Sequence, residues 1–242
     1  MAAEVLSPAP YIGESAAAEL RARLAPLSRG GSEDAAILRF CADYRLPGAE
    51  PCPGVSYRAG VVDSSGFRLV AHTWVQSGAT RNLLLVHGYF DHSGLYGHLV
   101  AAGLELGCNV LIFDQPGHGL SSGSPGVITD FRQYGQAIAD IMAAATLPAL
   151  PWWVIAQSMG CAALVEYARR SARAWPFNAT VLLAPLVRPA GWAGITAAYF
   201  LIGRLVDSVP RRYAINSSDP DFVDFVESDP LQSRRVPVAW VR

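Results

Sequence analysis

The chain of 242 residues opens with two kinds of hydrophobic pattern, one helical and one strand-like. Residues 15–27 and 32–45 are rich in alanine and charged residues, begin with serines and space their apolar residues as helices do, so they predict two helices. From Gly54, the stretch "VSYRAGVVDSSGFRLVAHTWV" alternates in strand fashion around the turn residues "DSSG". This alternation predicts an antiparallel hairpin.

Four short, almost wholly apolar runs follow the hairpin. They read "NLLLVHG", "NVLIFD", "WWVIAQ" and "ATVLLAP", and enough chain for a helix separates each run from the next. Strands that are buried on both faces have this composition, and their alternation with helices predicts a mostly parallel sheet with helices on both faces. The fold class is therefore α/β, and the loops at the carboxyl ends of the strands should carry the chemistry.

The pattern changes again after Pro185. The stretch "AGWAGITAAYFLIGRLV" is apolar for about four helical turns, and a polar stretch rich in acidic residues follows it. Because the apolar segment is short for a membrane span and ends at Arg204, it predicts a lid or cap helix over a pocket. The acidic residues of this region are expected on solvated faces or as helix caps: Asp207, Asp219, Asp221, Asp224, Glu227 and Asp229. The chain thus divides into a helical N-terminal extension (1–53), an α/β core (54–188) and a cap region (189–242).

Composition and charge narrow the class of function. Apolar residues make up 51% of the chain, and 19 basic residues nearly balance 20 acidic ones without a basic block, which disfavours a nucleic-acid partner. Glu4 stands where a signal peptide carries positive charge, so a cytoplasmic location is predicted. The cysteines show no CxxC pair and no metal-like spacing, which predicts reduced thiols and no metal site: Cys41, Cys52, Cys108 and Cys161.

The serine of "AQSMG" is the first candidate for chemistry. Ser158 follows a predicted buried strand and precedes a good helix, "MGCAALVEYARRSARA", which is the context of a G-x-S-x-G nucleophile elbow. Ala156 and Gly160 are small, as the close approach of strand and helix at such a turn requires. The alternative is that Ser158 is an ordinary N-cap residue of the helix that follows.

A second motif, "HGYFDHSGLYGHLV", ends the first parallel strand. The pair His87-Gly88 stands where a backbone amide is needed for an oxyanion hole, and glycine lets the chain turn sharply there. The amides of Tyr89 and Met159 would then converge on the oxygen of a carbonyl group that Ser158 attacks. The two motifs together favour nucleophilic chemistry over the N-cap interpretation.

Three stretches resemble segments of one known family. The segment "HGYFDHSGLY" is similar to HG-x-x-x-HS-G-x-Y, "DQPGHGLSSG" to the turn D-x-x-GHG-x-S-x-G, and "QSMG" with its helix to a nucleophile elbow. The chain thus resembles the α/β-hydrolase superfamily and, within it, the monoacylglycerol lipase, lysophospholipase and serine-aminopeptidase-like group. Because "ESDPLQSRRVPVAWV" also looks like that group's cap, the likeness runs from about Gly54 to the C-terminus and leaves the N-terminal extension outside.

The resemblance implies a role for each matching residue. Ser158 is the nucleophile, the backbone amides of Tyr89 and Met159 hold the oxyanion, and neither a metal nor an organic cofactor takes part. The other motif residues shape and support the loops around the pocket: His87, Gly88, His92, Asp114, Gly117, His118, Gly119, Ala156 and Gly160. His72 and His98 belong to no motif and are expected to be ordinary, hydrogen-bonded histidines.

The residues that would activate Ser158 are absent from the sequence. In this fold the triad follows the order serine, acid, histidine, yet no histidine follows Ser158, and "LLAPLVRPAG" after the last parallel strand has no carboxylate. The sequence therefore predicts an α/β-hydrolase fold whose last strands are missing, in a truncated chain that is inactive by itself. Such a sheet would expose an apolar strand edge, which favours aggregation or pairing with another chain.

The leading hypothesis is a serine carboxylic-ester hydrolase. Trp192, Tyr199 and Phe200 of the cap would suit the acyl chain of a monoacylglycerol, a lysophospholipid or a similar small acyl ester. The alternative, which the missing histidine supports, is a catalytically silent hydrolase-fold protein that binds lipids or a protein partner. A phosphate- or nucleotide-binding domain is disfavoured because neither G-x-G-x-x-G nor G-x-x-x-x-G-K-[ST] occurs. The head group, the acyl length, the oligomeric state and transient contact of the cap with membranes are left open.

Overall fold

The computed structural model of the protein describes residues 12–48, 53–170, 175–186, 191–202, 205–211 and 217–238. Two helices, α1 (Glu14–Arg23) and α2 (Ala35–Asp43), come first and confirm the two helices predicted in this region. The side chain of Asp34 accepts a hydrogen bond from the amide of Ala36 at 2.8 Å and so caps the start of α2. Leu20 and Phe40 of these helices are buried in the same apolar cluster as residues of the sheet.

The predicted hairpin is formed by β1 (Val55–Ser64) and β2 (Phe67–Gln76), which pair antiparallel. Ser65 and Gly66 both have positive φ angles, 48° and 85°, as a two-residue turn of type I′ requires. This tight turn sets the register of the two strands from Ser64 opposite Phe67 to Val55 opposite Gln76.

The four apolar runs form the predicted parallel strands: β3 (Arg81–Val86), β4 (Cys108–Phe113), β5 (Trp152–Gln157) and β6 (Phe177–Leu183). The strand order is β1-β2-β4-β3-β5-β6; β2 pairs antiparallel with β4, whereas β4, β3, β5 and β6 run parallel to one another. Three helices connect the parallel strands: α3 (Gly97–Glu105), α4 (Arg132–Ala144) and α5 (Met159–Arg170).

Helices cover both faces of the sheet, as the sequence predicts. Successive residues of a strand point to opposite faces, and Leu83 and Leu85 of β3 join an apolar cluster with residues of α1, α2 and α3. Leu84 and Val86 of the same strand join a second cluster with residues of α4 and α5. The carboxyl ends of β3, β4 and β5 therefore lie side by side between two layers of helices, and each carries one of the motifs.

Strand β6 forms one edge of the sheet. Val181, Leu182 and Leu183 are 46%, 44% and 37% exposed. Because consecutive residues of a strand point to opposite faces, exposure at three successive positions shows that the described residues cover neither face there. Among the described residues, β6 thus pairs with β5 alone and exposes apolar side chains.

The described part of residues 189–242, the predicted cap region, contains two helices, α6 (Trp192–Ile202) and α7 (Pro220–Ser228), and two short paired strands, β7 (Ser208–Pro210) and β8 (Arg235–Pro237). Helix α6 confirms the predicted apolar helix, and its Phe200 and Leu201 are each 80% exposed. Nowhere in the described ranges does a helix have the length and apolar character that crossing a bilayer requires.

Three of the four cysteines lie in the described part of the chain. Cys41, Cys108 and Cys161 are buried free thiols, as predicted. Glu4, Cys52 and Arg204, on which other sequence predictions depend, lie outside the described residues.

Candidate active site

Ser158 lies in the turn between β5 and α5, with a φ angle of +49°. L-amino acids other than glycine avoid this region, and holding one there costs on the order of 1 kcal/mol or more. The backbone of Ser158 donates a hydrogen bond to the carbonyl of Leu183 (2.9 Å) and accepts hydrogen bonds from the amides of Cys161 and Leu186 (both 3.1 Å). An N-cap residue has an extended conformation instead, so the geometry argues against the N-cap interpretation.

The turn at Ser158 packs against the end of β3. A Cβ atom at Gly160 would lie 2.5 Å from the carbonyl oxygen of Val86 and 2.6 Å from that of His87, so only glycine fits there. A Cβ atom at Gly88 would lie 3.3 Å from Cβ of Ser158. Two motifs that are far apart in the sequence are therefore in contact at Ser158. Ala156, whose small size the sequence analysis noted, is fully buried at the end of β5.

A tyrosine hydroxyl bridges the two halves of the predicted oxyanion hole. The amide of Gly88 donates to the hydroxyl of Tyr96 at 3.2 Å, and this hydroxyl donates to Oε1 of Gln157 at 2.9 Å. Gly88 is followed by Tyr89. Gln157 is followed by Ser158 and then by Met159, the first residue of α5. Sequence reasoning did not single out Tyr96, although it stands at the tyrosine of the quoted HG-x-x-x-HS-G-x-Y segment.

Asp114 connects the glycine-rich turn after β4 to the loop after β3. Its Oδ1 accepts a hydrogen bond from the amide of Ser93 (2.6 Å) and its Oδ2 accepts one from the amide of Leu120 (2.7 Å). Burial alone would raise the pKa of Asp114, but the neighbouring histidines and the Ser93 amide lower it below its usual value. Gly117 and Gly119, with φ angles of +72° and +50°, let the turn wrap around this carboxylate.

His87 and His118, which belong to two of the motifs, have both ring nitrogens within hydrogen-bond distance of backbone groups. Nε2 of His87 accepts a hydrogen bond from the amide of Gln115 (2.9 Å), and Nδ1 donates to the carbonyl of Gly88 (2.7 Å). The ring nitrogens of His118 face the carbonyls of Pro116 (2.8 Å) and Tyr89 (2.7 Å). Burial lowers the pKa of His87 to about 3 and also lowers the pKa of His118. Neither ring offers Ser158 a free nitrogen.

The two histidines outside the motifs also lack a link to Ser158. His72 is fully buried, with Nδ1 2.8 Å from the hydroxyl of Tyr57 and Nε2 3.3 Å from that of Ser93, which confirms a hydrogen-bonded core histidine. Burial lowers the pKa of His72 to about 4. His98 is exposed on α3. Its side chain has no hydrogen bond with the rest of the described residues, so the expectation of a hydrogen-bonded His98 is not met.

Asp229 corrects one prediction from the sequence. It was expected on a solvated face or as a helix cap; it is the C-cap residue of α7, but it is fully buried rather than solvated and lies 2.7 Å from Nε2 of His92. The hydroxyl of Tyr44 (2.6 Å) and the amide of Leu231 (2.9 Å) also donate to this carboxylate. A buried charge is stable only with such partners, and local sequence patterns do not predict two of them, because His92 and Tyr44 come from distant segments. Asp219 caps the start of α7, as predicted.

The described residues contain no group of three or more histidine, cysteine or acidic side chains that could hold a metal ion. What they contain is a sheet of α/β type with a strained serine at the strand-to-helix turn and a histidine-glycine turn against it. These features define an α/β hydrolase. The chain belongs to the Hydrolase_4 family (serine aminopeptidase, S33), whose model matches residues 78–242.

Several known proteins are similar to this chain. It is 28% identical over 176 residues to the monoacylglycerol lipase of Mycolicibacterium smegmatis, a match that covers 69% of this chain and 61% of the lipase. It is 30% identical over 187 residues to the monoglyceride lipase of Homo sapiens, which covers 72% of this chain and 60% of that protein. The chain thus spans about 60% of the length of these relatives.

Two solved structures support the fold. The monoglyceride lipase of Saccharomyces cerevisiae, in complex with a substrate analog, matches with a TM-score of 0.61 at 16% identity, over 75% of this chain and 65% of that one. The monoacylglycerol lipase of Paleococcus ferrophilus matches with a TM-score of 0.56 at 24% identity, over 70% of this chain and 66% of that one. At these identities the likeness is one of fold.

Proposed function

We propose that the chain carries the nucleophile and the oxyanion hole of a serine carboxylic-ester hydrolase that acts on a monoacylglycerol, a lysophospholipid or a similar small acyl ester. The observation that carries this proposal is the φ angle of +49° at Ser158, in a turn that touches Gly88. A serine held in this strained turn presents its hydroxyl above the carboxyl edge of the sheet, where a substrate can reach it. The family and the similar monoacylglycerol lipases support the same class of reaction.

The proposed reaction proceeds through an acyl-enzyme. Oγ of Ser158 attacks the carbonyl carbon of the ester while a base takes its proton, and the backbone amides of Tyr89 and Met159 hold the oxyanion. The alcohol leaves with a proton, and water then releases the fatty acid by the reverse sequence of steps. Each oxyanion donor of this kind is worth about a hundredfold to a thousandfold in rate. The cycle as proposed uses no cofactor.

The base is not among the histidines of this sequence. Both ring nitrogens of His72, His87, His92 and His118 are engaged, and His98 is exposed on α3. We therefore infer that the acid and the histidine of the triad are absent from these 242 residues. The chain by itself should then react at no more than the background rate of an unactivated serine.

The apolar surface of α6 supports an acyl substrate. Phe200 and Leu201 are each 80% exposed, and Trp192 and Tyr199 on the same helix are partly exposed. Such a surface suits an acyl chain and transient contact with a lipid surface.

A second candidate function is lipid or protein binding without catalysis. The engagement of the histidine ring nitrogens favours it, because no base for Ser158 is present in the described residues. The two candidates differ in one measurable property, which is the reactivity of Ser158.

Fluorophosphonate labelling separates these two functions. We expect the protein isolated from its own cells to be labelled on the peptide that contains Ser158, and Ser158→Ala to abolish the label. Ser56→Ala, which removes an exposed serine of β1, is the matched control and should be labelled normally. The 242-residue chain produced alone should show only background labelling. An unlabelled native protein would refute catalysis and favour the binding function.

A further inference from the structure

Tyr44, which follows α2, reaches two segments that are distant in the sequence. Its hydroxyl donates to Oδ1 of Asp229 at 2.6 Å. Its ring meets that of His92 edge-on, with centroids 4.9 Å apart, and that of Phe225 in the same way at 5.7 Å. Tyr44 lies outside residues 78–242, which the family model matches. A buried side chain from the N-terminal helices thus joins the cap to the loop after β3.

Asp229 and His92 form a buried hydrogen-bonded pair. Both side chains are fully buried. Nδ1 of His92 accepts a hydrogen bond from the amide of Gly94 (3.2 Å), which assigns the ring proton to Nε2, the atom that donates to Asp229. Burial alone would lower the pKa of His92, but the charge of Asp229 outweighs it and raises the pKa. Removal of one partner would leave a buried charge without compensation.

His92 belongs to the loop that carries the proposed oxyanion amide of Tyr89. The carbonyl of His92 accepts a hydrogen bond from the amide of Leu95 at 3.1 Å. The loop also packs tightly on Tyr44, because a Cβ atom at Gly94 would lie 2.7 Å from the tyrosine ring. One side of the loop is therefore held by Tyr44 and Asp229. The other side is held by the Tyr96 hydroxyl, which binds the Gly88 amide beside Ser158.

We propose that Tyr44 is a positioning residue. Through Asp229 and His92 it holds the loop of residues 88–96, and with it the amide of Tyr89, in the geometry that the reaction of Ser158 needs. The N-terminal helical extension would then contribute to the geometry of the candidate active site. The catalytic consequence rests on the proposed function, whereas the hold on the loop does not.

Hydrogen–deuterium exchange tests the hold on the loop in the 242-residue chain. Tyr44→Phe keeps the ring and removes only the hydroxyl, so the carboxylate of Asp229 loses one donor. We expect amides of residues 229–232 and 92–95 to exchange about tenfold to a hundredfold faster, as loss of a hydrogen bond to a charged group implies. Tyr57→Phe is the matched control, because it removes another buried hydroxyl, one that contacts His72 instead. It should leave exchange at residues 229–232 unchanged.

A second measurement tests the positioning role. In the native protein, Tyr44→Phe should slow fluorophosphonate labelling of Ser158 about tenfold, whereas Tyr57→Phe should change it less than twofold. Faster exchange without slower labelling would refute the positioning role and leave Tyr44 with a structural one. Unchanged exchange at residues 229–232, or an equal rise in both variants, would overturn the proposal entirely. A parent protein that takes no label at all would refute the proposed function instead, and the exchange result would still decide whether Tyr44 holds the loop.

Discussion

Two buried histidines should make folding of this protein sensitive to mild acid. His72 and His87 are fully buried, and burial lowers their pKa values to about 4 and about 3. An unfolded histidine has a pKa of about 6.5. Below that pH the unfolded chain therefore binds protons at these histidines that the folded chain does not bind. The stabilisation is fully present above about pH 6.5 and is lost as the pH falls towards the folded pKa values.

The size of the effect follows from these pKa values. Each proton that only the unfolded state binds changes the free energy of unfolding by about 1.4 kcal/mol per pH unit. The interval from about 6.5 to about 4 corresponds to about 3 kcal/mol for His72. For His87 the larger interval corresponds to about 5 kcal/mol. Domains are stable by about 5–15 kcal/mol in total, so either loss would be a large fraction of the stability.

The variant His72→Gln tests this reasoning through the slope of the free energy of unfolding against pH. The substitution should lower stability near neutral pH, because it disturbs the contacts with Tyr57 and Ser93. The free energy of unfolding of the variant should nevertheless fall less steeply with acid, by about 1.4 kcal/mol per pH unit between about pH 6 and 4.5. Urea denaturation followed by circular dichroism at several pH values measures both quantities.

The control for this slope is His98→Gln. It replaces a histidine that is exposed on α3 and leaves the buried contacts of His72 and His87 unchanged. Equal slopes for the parent and His72→Gln would refute the reasoning, whatever the stability near neutral pH.

Two further predictions concern packing and the sheet edge. Gly160→Ala would place a methyl group 2.5 Å from a backbone oxygen of β3, so the free energy of unfolding should fall by at least about 2 kcal/mol. Gly194→Ala is its control: the added methyl group meets no atom within 4 Å, so equal urea midpoints for the two variants would contradict the steric argument. Leu182→Lys puts a charge on the exposed edge strand β6 and should reduce self-association measured by sedimentation velocity. Leu106→Lys, at a residue that is 63% exposed in the turn after α3, should not reduce it, and an equal effect would remove the edge strand as the cause.

Local patterns were sufficient to predict the two N-terminal helices, the hairpin, the four parallel strands and the turn at Ser158, but not the short strands β7 and β8. An apolar run such as "NVLIFD" is bounded by turn residues, and every residue of β4 proved to be buried. Gly66 likewise stands where local geometry accepts little else, in a type I′ turn. The sequence by itself therefore determined the fold class and the place of Ser158, because these features depend on neighbours along the chain.

Only the tertiary structure decided which distant side chains meet. Asp229, beside a proline after a helix, looks like an ordinary cap until the fold brings it to His92 and Tyr44. The sequence shows that His87 exists, but the engagement of both its nitrogens appears only when the turns after β3 and β4 are packed together. Burial of a charged group and occupation of a ring nitrogen depend on segments far apart in the chain, about which local patterns carry no information.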